Sequence, residues 1–198
     1  MRFFRPLLLT CFMMLALVGA GGSSCWSAAL EQRLPTCLAC HGENGTSVNT
    51  EVPSLGAQAA PYLEIQLYLF REGMRPVEVM NEAMKGIADD ELSKLAGLLS
   101  ALPPPAPTES NDPARIEHAR ALVHRHRCDF CHNSDLSGRE NVPRIAGQRE
   151  DYLLKSMREY KSNIRPGYDA SMADVVQPLT DEDIRELAYY AARQPLER

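Results

Sequence analysis

The chain has 198 residues, 44% of them hydrophobic and 24% charged, with a formal net charge of −5. That balance fits one or two small soluble domains and excludes long disordered or collagen-like chains. The acidic balance also argues against generic binding to nucleic acid or to anionic lipid.

At the N-terminus, Arg2 and Arg5 precede an apolar run from Pro6 to Ala20. A transmembrane helix needs about 20 apolar residues, whereas a charged start with a shorter apolar centre fits a secretory signal. The small residues Ser27-Ala28-Ala29 predict cleavage after Ala29, with Ala20 as the alternative site and an uncleaved anchor as the competing reading. Export implies a compartment that permits disulfides. Cleavage after Ala29 removes Cys11 and Cys25 and leaves Cys37, Cys40, Cys128 and Cys131.

The rest of the chain repeats itself. Cys37-Leu38-Ala39-Cys40-His41 is echoed by Cys128-Asp129-Phe130-Cys131-His132 at an offset of 91. Pro53, Gln58, Tyr62, Leu63, Phe70 and Arg75 are echoed at an offset of 90 by Pro143, Gln148, Tyr152, Leu153, Tyr160 and Arg165. Met80, Leu92, Leu95 and Ala96 are echoed at an offset of 92 by Met172, Ile184, Leu187 and Ala188. Small drifts in offset are expected where insertions fall in loops. The expected organisation is a signal segment over 1–29, one domain over 30–100, a proline-rich tether over 101–113 and a second domain over 114–198.

Each lobe reads as helical. Leu63, Leu67 and Phe70 form an apolar stripe at helical spacing, repeated by Leu153, Met157 and Tyr160. A second helix carries Leu92, Leu95, Ala96 and Leu99, repeated by Ile184, Leu187, Ala188 and Ala191. Thr180 with Asp183 predicts a capping box. A third helix is expected before each cysteine pair, around Ala28–Arg33 and Ala114–Arg125. No alternating run is long enough for a sheet. Prolines between Leu102 and Pro107 stiffen the tether, so the two lobes should lie close together.

Cys-x-x-Cys-His is the attachment pattern of c-type haem. The two thiols add to the haem vinyl groups as thioethers, and the adjacent imidazole reaches the iron. A zinc site would have to bridge the two repeats. Disulfides Cys37–Cys40 and Cys128–Cys131 would close very small loops and leave the histidines without a role, and a thioredoxin-like pair lacks its βαβ context. One axial position is therefore expected to be His41 in the first lobe and His132 in the second. Among the methionines, only Met80 and Met172 pair through the repeat. Each lies seven residues before the apolar residue, Ile87 or Leu179, that leads into the last helix, on what reads as a loop, and each is expected to be the second axial ligand. His118, His124 and His126 read as solvated helix surface. Pro53 and Pro143 follow the histidines by 12 and 11 residues, and their carbonyls are candidates to accept the imidazole Nδ1–H.

The two CxxCH motifs, Pro143-Arg144-Ile145-Ala146-Gly147-Gln148 followed by Tyr152-Leu153, and Leu179 to Ile184 before the last helix together resemble the cytochrome c4 family of dihaem c-type cytochromes. The resemblance covers residues 30 to 196. It implies an all-α fold of two tandem class I cytochrome c domains, each a small helical fold around one covalent haem. It also implies His/Met ligation and single-electron transfer in the periplasm, often to a terminal oxidase. Expected partners are redox proteins (an oxidase, a dehydrogenase or another cytochrome), with peripheral membrane association left open and no nucleic acid. A dihaem peroxidase-like enzyme or a haem-based ligand sensor would instead need one open iron. Residues 30–101 carry net −5 and residues 102–198 net −2, so the first lobe is the expected face for a basic partner.

Overall fold

Apolar residues at helical spacing and short polar breaks between them build this protein entirely from helices. A computed structural model describes residues 33–109, 112–165 and 170–196. The predicted signal segment, its cleavage sites and residues 28–32 lie outside them. In the first lobe α1 is helical over the described residues 33–41. It is followed by α2 (Ala60–Arg71), α3 (Glu78–Met84) and α4 (Asp89–Ser100). The second lobe contains α5 (Pro113–Arg125), α6 (Cys128–His132), α7 (Glu150–Lys161), α8 (Ser171–Val176) and α9 (Asp181–Ala192). Among the described residues no strand forms, and the single isolated bridge joins Arg139 to Val142.

The predicted stripes face two separate cores. Leu63, Leu67 and Phe70 of α2 meet Leu92, Leu95 and Leu99 of α4 in the first. Leu153 of α7, Leu122 of α5 and Ile184, Leu187 and Ala188 of α9 meet in the second. Each buried leucine or isoleucine stabilises its lobe by about 1.5–3 kcal/mol relative to exposure. The contact between α5 and α9 also has a polar clasp. Arg115 donates to Glu186 at 2.9 Å, and its guanidinium lies 3.6 Å from the Tyr189 ring centroid.

The helix expected before the second cysteine pair is α5, which stops at Arg125; Arg127 then takes a left-handed φ of 55° before α6 opens at Cys128. The helix expected around 28–33 lies outside the described residues except for Arg33, from which α1 runs on through the first CxxCH motif. One expectation is corrected. Met80 and Met172 lie on the short helices α3 and α8 rather than on loops. Seven- and six-residue helices are too short to show the apolar periodicity used to identify the longer ones.

The tether hugs both lobes. Ala57 N–H donates to Leu102 O at 2.8 Å, and Thr108 N–H donates to Ala192 O at 3.0 Å. Gly56 lies so close to it that a Cβ there would fall 2.0 Å from Pro103 O.

The last helices start differently in the two lobes. At α9 the full capping box forms: Thr180 Oγ1 accepts from Asp183 N–H at 3.0 Å, and Asp183 Oδ2 accepts from Thr180 N–H at 2.8 Å. At α4 only the return half exists, Glu91 accepting from Ala88 N–H at 2.9 Å, because Ala88 has no side-chain oxygen. Ala88 already has the extended backbone of a cap residue, with φ −75° and ψ 160°. Ala88→Thr should therefore stabilise the holoprotein by about 1 kcal/mol, and Thr180→Ala should cost about the same. Denaturant titration of the two variants against the parent measures both.

Candidate haem sites

The two motif histidines are the most tightly specified polar side chains near the cysteines. His41 and His132 are buried, 7% and 8% exposed. Nδ1 of His41 lies 2.8 Å from Pro53 O, and Nδ1 of His132 lies 2.8 Å from Pro143 O. Proline carbonyls can only accept, so Nδ1 carries the proton and Nε2 is left as the metal-facing nitrogen. Burial lowers both imidazole pKa values and the carbonyl bond only partly offsets it, so both rings favour the neutral, ligating form.

Tight turns lead from each histidine towards its proline. Gly42 follows His41 at φ 89°, and a Cβ there would overlap Thr46 O. Its counterpart Asn133 takes φ 68° and ψ 163°, a region that favours glycine, and its side-chain amide donates to Gly138 O at 2.7 Å across the turn. Gly138, at φ 72°, lies directly against the backbone of Pro143.

One motif cysteine and the repeated methionine of each lobe pack against that lobe's core. Cys37 and Met80 are partly buried and pack against the first core, and Cys128 and Met172 pack against the second. Cys40 and Cys131 are exposed, and none of Cys37, Cys40, Cys128 and Cys131 is in a disulfide. Burial raises the Cys37 thiol and pushes Cys128 up to about 11, with Asp129 adding to the rise. Among the described residues, no three His, Cys, Asp or Glu side chains are grouped to hold a metal ion.

The other methionines and histidines go elsewhere. Met84 is core, 2% exposed, and Met74 is 56% exposed. His118 and His124 are exposed, the latter with Nδ1 2.6 Å from Asp129.

The sequence reading missed the polar face where the lobes meet. Gln58 Oε1 accepts from Arg144 N–H at 2.7 Å, and Gln58 Nε2 donates to Arg144 O at 3.0 Å. Gln148 makes the mirror pair with Ser54, accepting from its N–H at 2.8 Å and donating to its carbonyl at 2.9 Å. Arg75 donates to Tyr152 Oη at 3.2 Å, and Arg165 donates to Tyr62 Oη at 3.0 Å. The available signal was the repeat itself: polar residues held at a constant offset, Gln58/Gln148, Tyr62/Tyr152 and Arg75/Arg165, are not explained by solvated helix faces. Arg144 had no such signal, because its counterpart is Ser54.

These side chains test whether the protein fits an anionic, covalently held cofactor. Arg75, Arg144 and Arg165 are 7%, 1% and 4% exposed. Among the described residues no carboxylate pairs with any of them, and each has a buried Nε without a hydrogen bond. Burial alone pulls Arg144 down to about 10. Tyr152 is drawn down to about 7, because Arg165 and Arg75 outweigh the burial that would raise it. Three buried cations without a paired carboxylate, each with an Nε that lacks a hydrogen bond, mark a site for anions. Haem propionates have that charge, so the residues fit two haem c groups.

No family model matches the chain. Cytochrome c4 of Pseudomonas aeruginosa is 24% identical over 197 residues, covering 94% of this chain and 97% of that protein. The thiosulfate dehydrogenase electron acceptor of Thiomonas intermedia is 30% identical over 182 residues, covering 86% of this chain and 83% of that protein. The crystal structure of reduced recombinant cytochrome c4 from Pseudomonas stutzeri superposes with a TM-score of 0.77 at 24% identity, covering 85% of this chain and 98% of that one. The fold is thus two class I cytochrome c domains in tandem. The chain belongs to the cytochrome c4-like dihaem c-type cytochromes, electron carriers with one haem c in each domain.

Domains this small have marginal cores and need a staple, which a covalent haem supplies. A Cys37→Ala/Cys40→Ala variant should lose a large part of its helical circular dichroism, concentrated in the first domain. An unchanged spectrum would contradict this.

Proposed function

We propose that the protein is a periplasmic dihaem cytochrome that passes single electrons between a dehydrogenase or other respiratory donor and an acceptor such as a terminal oxidase. The observation that carries this reading occurs twice: a buried histidine held through Nδ1 by a proline carbonyl, beside a core that packs one motif cysteine and one methionine. In this reading Cys37 and Cys40 hold one haem, and Cys128 and Cys131 the other. His41 and Met80, and His132 and Met172, are the axial pairs. Pro53 and Pro143 orient the imidazoles. When bound, each haem supplies a one-electron iron couple. The cores keep water from the methionine side, and the buried arginines neutralise the propionates. Two thioether-closed irons favour transfer over catalysis.

The charged start and apolar run of residues 1–20 support export, with 1–29 as the signal segment. The two separate cores support domains over 30–100 and 114–198 joined by 101–113. The Thiomonas intermedia relative is named as the electron acceptor of thiosulfate dehydrogenase, which supports a dehydrogenase as donor here.

Carbon monoxide tests the closed irons. The dithionite-reduced protein should contain two haems per chain and show no spectral change with carbon monoxide. Met80→Ala and Met172→Ala should each open one haem. A shift in half of the parent's haem would overturn the reading and favour a peroxidase-like enzyme or a ligand sensor.

On the methionine side of the first domain, α3 exposes Glu78, Val79 and Glu82, with Glu72 nearby. Glu78 and the exposed Val79 stand beside Glu72 and Glu82, which pair with Arg71 at 2.8 Å and Lys85 at 3.5 Å, and the acidic excess of this lobe suits a basic redox partner. Replacing Glu72, Glu78 and Glu82 with Gln should slow association with such a partner by about tenfold at low salt. Stopped-flow electron transfer measures it, and an unchanged rate would contradict the proposed docking face.

A further inference from the structure

The peptide that accepts the hydrogen bond of each histidine is also held by the other domain. The Pro53 carbonyl accepts from His41, and the N–H of the same peptide unit, on Ser54, donates to Gln148 Oε1 at 2.8 Å. In mirror fashion the Pro143 carbonyl accepts from His132, and the N–H of that peptide, on Arg144, donates to Gln58 Oε1 at 2.7 Å. All four residues of these links, Ser54, Gln58, Arg144 and Gln148, are buried. A peptide whose N–H is engaged has a more negative carbonyl oxygen, and such chains of hydrogen bonds strengthen one another by about 10–30% per bond. A stronger acceptor at Nδ1 makes the imidazole more basic, which favours the oxidised iron.

We propose that Gln148 and Gln58 are positioning residues that act across the domain interface. Each sets, from the opposite domain, the strength of the hydrogen bond that tunes the axial histidine. Gln148 tunes the haem of the first domain, and Gln58 tunes that of the second. The inference rests on His41 and His132 being the axial ligands.

The test is a crossed one, made on the haem-loaded protein. Each haem is assigned in the reduced state by nuclear Overhauser contacts to its own cysteines, and redox titration is followed on the assigned signals. Gln148→Met keeps a similar length and removes both hydrogen bonds to Ser54, along with the one that Gln148 Oε1 accepts from Arg149 N–H at 2.9 Å. It should raise the potential of the haem at Cys37 and Cys40 by about twofold to fourfold in the reduction equilibrium constant, roughly 18 to 36 mV at 59 mV per decade. The His41 Nδ1–H signal should move upfield, with that of His132 unchanged. Gln58→Met should do the converse. Gln148→Glu keeps the acceptor and is the fallback if the Met variant does not fold; it should leave the His41 signal in place or move it downfield. Shifts confined to the substituted domain, equal shifts in both haems, or no shift would overturn the inference. The parent spectrum separates this from the underlying reading. Ring protons of His41 and His132 without strong haem ring-current shifts would instead refute axial ligation.

Discussion

A hydrogen bond from imidazole to a proline carbonyl organises each half of this protein. It is a local contact, spanning 12 residues in one domain and 11 in the other, yet much of the surrounding chain serves it. A residue with positive φ, Gly42 in one domain and Asn133 in the other, turns the chain immediately after the histidine. The helices then carry the motif cysteine and the repeated methionine to the edge of the same core. An imidazole held in this way is neutral, oriented and basic, which is what an iron ligand requires.

The interface follows from the repeat. Two copies of one fold, joined by a tether that lies against both, present equivalent polar groups to each other across an approximate two-fold axis. Gln58 and Gln148 satisfy the backbone of the opposite copy, so the burial of four backbone groups there carries no penalty for missing partners. Such an interface is specific rather than adhesive. Its hydrogen bonds define one relative placement of the domains, while the apolar stabilisation remains within each separate core.

The copies have diverged where each meets different neighbours. Position 144 is a buried arginine opposite a small Ser54, the first domain lacks the cap oxygen that the second has at Thr180, and the acidic excess is concentrated in the first. The buried cations have a common logic. Arg75, Arg144 and Arg165 would be unfavourable inside a protein with no counter-charge, and haem propionates provide one. The electrostatics of the interface therefore agree with the covalent motifs on the identity of the cofactor, although they involve different residues.

By itself, the sequence determined the helical class, the duplication and the two CxxCH motifs, and offered Pro53 and Pro143 as candidate acceptors that the structure then placed against the imidazoles. These follow from short-range spacing and from residue types with few alternative uses. The two long helical stripes in each copy were legible because 12-residue helices with one buried face repeat visibly. The short helices bearing Met80 and Met172 were not, because a turn or two of helix leaves no periodic trace. Nor did the chain show which polar residues would be buried. Gln58, Gln148, Arg75 and Arg165 look like surface residues in one copy and acquire their roles only when the second copy is docked against it. Contacts such as Gln58 to Arg144 span 86 residues, and no local pattern encodes a hydrogen bond whose partner is supplied by the other half of the fold.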